Sequence, residues 1–346
     1  MSPSLPDPAP SGKPRRLWLY APFALLLALI VAWSGVWLWM SGQVAARMDR
    51  TRDRLSAAGY PIGWASRRIA GYPFRLDVDL TGARLGEPSG WSISAPVLKA
   101  EAFVFAPGHW VMAAPDGARI VRPLGGPVTV GAKVLRASIQ ALGQSPPRLS
   151  VEGLGLTFAT PPGAGPFFLT AAGAFHLHTR AGPNDQGAIY VELDDARAAL
   201  SGLVARIAGG KPLTLVADAI YSHASALTGR DWPSAVRAWS AAGGALDVRH
   251  IRVAAGEAML DASAGTLTVG PDGRLRGRLT AQLRQAPRTL AAMGEDGAIS
   301  PEAAASAASV VGARAAGPAA SVTLDFEAGQ TTLGPVAIGP APQVIP

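Results

Sequence analysis

Twenty-four consecutive residues, Leu17 to Met40 (LWLYAPFALLLALIVAWSGVWLWM), carry no charge, and this run constrains the chain more than any other feature. As a helix it extends about 36 Å, enough to cross a hydrocarbon core of about 30 Å with some tilt. Trp18 and Tyr20 stand near one end and Trp33, Trp37 and Trp39 near the other, where amphipathic rings favour the two bilayer interfaces. Pro22 falls in the first turns, where a missing N–H costs least. A cleaved signal peptide is the competing reading, but the run is long for a signal core. Ser41-Gly42-Gln43-Val44 offers no prompt cleavage pattern either. The expectation is a retained transmembrane helix over 17–40.

Orientation follows from size rather than charge. Lys13, Arg15 and Arg16 precede the run and Arg47, Arg50, Arg52 and Arg54 follow it, so counting cations does not decide. About 300 residues lie after the run and few before it, and long domains translocate largely regardless of charge. The expectation is a single-pass protein of a bacterial inner membrane. Residues 1–16, rich in proline, form a disordered cytoplasmic tail, and the main domain is periplasmic. With no cysteine in the chain, a lipoprotein anchor, disulfides and Cys-ligated metals are excluded. The formal charge of +7 suits a surface facing anionic lipid headgroups. No basic stripe with interleaved aromatics appears, so nucleic acid is not expected as a partner.

Past the run, residues 41–59 read as a juxtamembrane helical stalk, with Val44, Met48 and Leu55 apolar and Gly59 as a stop. From Tyr60 the period changes. Phe74, Leu76, Val78 and Leu80 alternate with Arg75, Asp77 and Asp79, the pattern of a half-buried strand, and 62–69 supplies a partner. Further strands are expected at 91–105, 128–139, 149–158, 167–179, 189–200, 213–221, 246–253 and 322–326. A hairpin turns at Pro271-Asp272-Gly273, after which Leu275, Leu279 and Leu283 share one face and Arg274, Arg276 and Arg278 the other. Helices are few: 232–241 capped by Asp231, a short one at 287–293, and an Ala-rich one from Ser300 to about 315. Residues 60–346 are therefore read as one β-rich domain.

Several of these stretches together resemble a known family. The N-terminal span, Gly71-Tyr72-Pro73-Phe74-Arg75, the Trp-x-Ile-x-Ala-Pro at 91–96 and the closing Leu-Gly-Pro-Val-x-Ile-Gly-Pro-Ala-Pro at 333–342 resemble the bacterial envelope family known as domain of unknown function 2125. That resemblance covers nearly the whole chain and implies no established activity. More loosely, the hairpin before Leu-x-Gly-x-Leu-x-x-x-Leu at 275–283 is similar to the C-terminal pattern of AsmA-like proteins. The likeness implies long sheets curled into lipid-holding grooves. The expected fold class is mainly β (α+β): an extended, curved antiparallel sheet with short helical inserts, preceded by one N-terminal transmembrane helix.

Chemistry-bearing motifs are scarce. There is no Gly-x-Ser-x-Gly elbow, Ser-x-x-Lys or His-Glu-x-x-His, and Pro212 after Gly210-Lys211 breaks any phosphate loop. His176 and His178 share a strand face, as do Asp77 and Asp79, and a solvated polar face accounts for both pairs. No catalytic residue, metal ligand or cofactor site is expected. Arg67, Arg68 and Arg75, close to the anchor, are candidates for a lipid headgroup. Phe74, Leu76, Val78, Leu275, Leu279 and Leu283 are candidates to line an apolar groove. Two readings stand: a non-enzymatic protein that binds or passes phospholipid or another acylated lipid, or a scaffold with a dry β core that engages envelope proteins.

Overall fold

The computed structural model of the protein describes residues 17–144, 146–199, 208–295, 297, 299–314 and 319–345. The tail expected over 1–16 and the end of the strand expected at 189–200 lie outside them. The anchor and stalk form a single helix, α1 (Leu17–Ala57), about 60 Å long. It ends where Gly59 adopts φ +87, a left-handed conformation that glycine reaches without strain.

Among the described residues, eighteen strands follow in one antiparallel sheet. They are β1 (Ile62–Gly63), β2 (Ser66–Ala70), β3 (Arg75–Gly86), β4 (Ser92–Phe103), β5 (Trp110–Ala113), β6 (Ala118–Arg122), β7 (Gly126–Gly131), β8 (Val134–Gln140) and β9 (Arg148–Ala159). The second half comprises β10 (Leu169–Ala181), β11 (Gly187–Ala198), β12 (Leu213–Tyr221), β13 (Leu246–Ala255), β14 (Ala258–Val269), β15 (Leu275–Arg284), β16 (Ala319–Glu327), β17 (Gln330–Leu333) and β18 (Val336–Pro340). From β9 onward every strand pairs with the next in sequence, a meander. Between β4 and β9, short strands share two columns end to end: β5 and β6 both pair with β4, and β8 and β7 both pair with β9. The single strand expected over 128–139 is thus two, broken at 132–133, and β5 and β6 have no counterpart in the sequence expectation.

Three more α-helices occur among the described residues: α2 (Trp232–Ala241), α3 (Ala286–Glu295) and α4 (Pro301–Arg314). Asp231 caps α2, accepting from Ser234 N while Ser234 Oγ accepts from Asp231 N.

One row of directly opposed side chains runs across twelve strands: Val78, Ala100, Met112, Ala137, Val151, Leu177, Val191, Ala217, Ile251, Ala262, Ala281 and Val322. Every member is apolar. The neighbouring row on the other face pairs opposite charges, with Arg136 bonded to Glu152 and Arg252 to Asp261. Strand alternation therefore gives the sheet one apolar face and one ionic face along its length.

That apolar face is covered differently along the sheet. At the C-terminal end α3 and α4 close over it, and Leu279, Ala281, Leu290, Ala307, Val322 and Leu324 form a buried core. At the N-terminal end α1 lies across it. Over β9–β12, Val151, Leu177, Val191 and Ala217 are only half-buried.

The sheet also curls. Tyr60 OH donates to Arg230 O (2.6 Å) and Trp232 N donates to Glu87 Oε2 (3.1 Å), joining the end of β3 to the start of α2. Trp239 Nε1, at the other end of α2, donates to Ser222 O (2.6 Å) beside β12. At about 4.8 Å per strand, β3 and β12 would stand roughly 34 Å apart in a flat sheet. Their approach requires the twisted sheet to bend, and register shifts at Leu169/Ala171, Leu193/Ala196 and Asp218/Ala219 are places where strands bend.

Candidate functional site

The α1 residues Trp33, Trp37, Met40, Val44 and Met48 recur at spacings of three and four, so they fall on one helical face. This face meets the sheet. Trp37 is buried against Leu76 and Val104, with its Nε1 donating to Arg75 O (2.8 Å). Trp33 Nε1 donates to Pro73 O (2.9 Å), and Ser34 Oγ lies 2.9 Å from Tyr72 OH. The loop that receives them is the Gly71–Arg75 stretch, with a cis Tyr72–Pro73 bond. Gly71 has φ +99, and a Cβ there would stand 2.7 Å from Arg75 O, so only glycine fits.

Beside this contact α1 and the sheet enclose a groove of about 990 Å³. One wall is α1 itself, with Trp39, Met40, Val44 and Met48. The floor is the apolar face of β3, β4, β5, β8 and β9, with Leu76, Leu80, Leu98, Met112, Ala137 and Val151. Pro107, Trp110 and Leu142 line the end near the anchor, and Ile62, Leu85 and Ile93 the far end. The charged lining residues are Arg47, Arg84 and Arg136, all cationic. Such a cavity lies at the upper end of the roughly 300–1,000 Å³ usual for ligand sites.

The expected site residues divide. Leu76 lines the groove. Val78 is buried beneath α1 among Val44, Met48 and Leu80, next to the groove. Phe74 is exposed and stacks toward Trp33 at 6.4 Å. Leu279 belongs to the dry core under α3 and α4, with Leu275 and Leu283 packed against it, so the groove does not include them. Met112, Ala137 and the lining residues of α1 carry the role instead.

Of the three arginines, Arg67 is committed internally. It donates two bonds to Asp49 (2.9 and 3.0 Å) and one to Ala45 O (3.2 Å), fastening β2 to α1. The hydrogen bond from Arg67 holds the Asp49 carboxyl below its ordinary pKa. Arg75 bonds Glu101 (3.0 Å) and lies 3.3 Å from Asp77. Arg68 is exposed on β2, across the ladder from Asp79. His176 and His178 lie on the ionic face with their rings 6.3 Å apart. From the sequence alone Trp33 and Trp37 read as interfacial rings only. Their three-to-four spacing with Met40, Val44 and Met48 was the available sign of docking.

α1 is the one helix among the described residues long and apolar enough to cross a membrane. No curated protein and no solved structure matches the chain. A family model does match it over residues 37–342, most of its length, and the chain belongs to that family, domain of unknown function 2125, described as an uncharacterized protein conserved in bacteria.

Proposed function

We propose that this is a single-pass protein of the bacterial inner membrane whose periplasmic domain, without enzymatic activity, takes the acyl part of a membrane lipid into the groove between α1 and the sheet. The observation that carries the reading is the groove's lining, predominantly apolar and beginning beside the membrane helix. Each buried methylene contributes about 0.8 kcal/mol, so ten would supply about 8 kcal/mol before the costs of association. Arg47 and Arg84, with no acidic residue in the lining, suit an anionic headgroup, whereas Arg136 is already paired with Glu152. The half-buried row over β9–β12 offers an apolar path beyond the groove, which suits passage as well as storage.

The scaffold reading has one observation in its favour. The C-terminal half of the sheet is closed by α3 and α4 into a dry core, leaving its ionic face outward.

The test is to purify the full chain, extract it with organic solvent and measure bound lipid by mass spectrometry, beside the variant Met112→Glu. Lipid in stoichiometric amount, lost from a folded Met112→Glu protein, supports the groove. A folded, lipid-free wild-type protein refutes it and favours the scaffold.

A further inference from the structure

Every described side chain of α1 from Tyr20 to Ala32 is exposed, and Trp33 is the first to touch the β-domain. The apolar run starts no earlier than Leu17, because Arg15 and Arg16 precede it. A β-domain held wholly clear of the bilayer would leave residues 17–32 to cross, about 24 Å of helix against a hydrocarbon core of about 30 Å. The deficit is about 6 Å, and any tilt enlarges it.

The part of the domain beside the missing turn is apolar and uncovered. Tyr72, Phe74, Phe103, Phe105 and Leu142 are exposed at 51, 60, 49, 72 and 57% respectively. They lie at the anchor end of β3, β4 and β8, Phe103 as the last residue of β4 and the others on the adjoining loops. Val104 N donates to Phe74 O (3.0 Å), so the first two loops are tied together, and Phe103 stacks on Phe105 at 5.0 Å. His109, four residues after Phe105, is linked to Gln140 on β8 (3.1 Å). Behind the rings stands an ionic collar, Arg75 with Glu101 and Asp77. Rings outermost with charges behind them is the order of a surface entering a bilayer interface, where burial by about 5–10 Å is usual.

We propose that this rim is a membrane-seating surface: Phe74, Phe103 and Phe105 enter the headgroup–acyl boundary of the leaflet on the domain's side, and lipid is what covers them. The seated rim supplies the depth that residues 17–32 lack. It also sets the near end of the groove, at Pro107, Trp110 and Leu142, at headgroup level instead of in open water. The inference rests on the membrane anchor and holds whether or not the groove carries a lipid.

The chain has no cysteine, so single substitutions can each carry an environment-sensitive dye. The full chain would be reconstituted into vesicles of phosphatidylethanolamine and phosphatidylglycerol containing lipids spin-labelled near the headgroup or deep in the acyl chain. Dyes at Phe74→Cys, Phe105→Cys, Leu27→Cys in the span and Leu124→Cys, 95% exposed on the β6–β7 turn, are compared. Expected are quenching at 74 and 105, stronger from the shallow label, quenching at 27 by the deep label, and none at 124. Inserting four residues after Leu27 lengthens the span by about 6 Å and is expected to abolish quenching at 105. A dye at 105 that behaves like the one at 124, in a sample where 27 is quenched, overturns the proposal. So does a site that is unquenched in vesicles yet shielded in native membranes, which would assign the rim to a protein partner. Loss of quenching at 27 as well would refute the anchor itself.

Discussion

Asp49 and Arg67 show how one side-chain pair can fix a large feature. Their two hydrogen bonds and the contact to Ala45 O hold the helix that forms the groove wall. Because Arg67 lowers the Asp49 pKa in the folded state, the pair stabilises fully above the unfolded value near 4. That contribution is lost as pH falls through the lower folded value. Wild type should therefore melt above Asp49→Asn at neutral pH, and the gap should close in acid below about pH 4. Equal melting at neutral pH, followed by circular dichroism in detergent, would show that the pair fastens nothing. The gap should be modest, because Asp49 is well exposed to solvent.

At the scale of elements, α1 has two surroundings without a break. Its first turns are apolar and uncovered by protein and its later ones meet a protein core, and the change falls at Trp33 to Trp37. Trp37→Ala removes a buried ring and strands the Arg75 carbonyl, a loss of about 3–5 kcal/mol for large-to-small changes of this kind. The expected result is faster proteolysis within 41–59 with the C-terminal core still folded. The sheet's last edge is protected by composition. Pro335, Pro340 and Pro342 bracket β18, and proline cannot donate to a further strand. The signature stretch 333–342 thus has a physical purpose. Much of this was legible beforehand, since alternation marks β3, β15 and β16 and the Asp231 cap marks α2. β5 and β6 were not, because four or five residues are too few to establish a period.

For the whole molecule, the apolar face is one surface with two fates, and local pattern cannot tell them apart. Leu279 and Met112 both occupy inward positions of alternating strands, yet one is sealed under helices and the other floors a groove. What decides is where helices land, a long-range fact that strand alternation does not contain. The two positions predict a dissociation of effects. Leu279→Ala should cost about 2–5 kcal/mol in stability, read by denaturant unfolding, and leave bound lipid unchanged. Met112→Glu should empty the groove and cost far less. If both variants lose lipid in proportion to stability, groove and core are not separate.

The meander carries a consequence for how such a sheet is made. From β9 on, each strand adds to the one synthesised just before it, so most pairings are local in sequence, the exceptions being β12–β13 and β15–β16, which span the inserts that carry α2 and α3–α4. Local pairings form fast because little loop entropy is spent on each. The sheet can then grow strand by strand as the chain emerges, each new edge covered by the next. The clasp from Tyr60 and Glu87 to Arg230 and Trp232 is long-range and closes only after β12 is laid down. Pro335 and Pro340 leave β18 a poor template for a further strand, so assembly has a direction and its last edge resists extension.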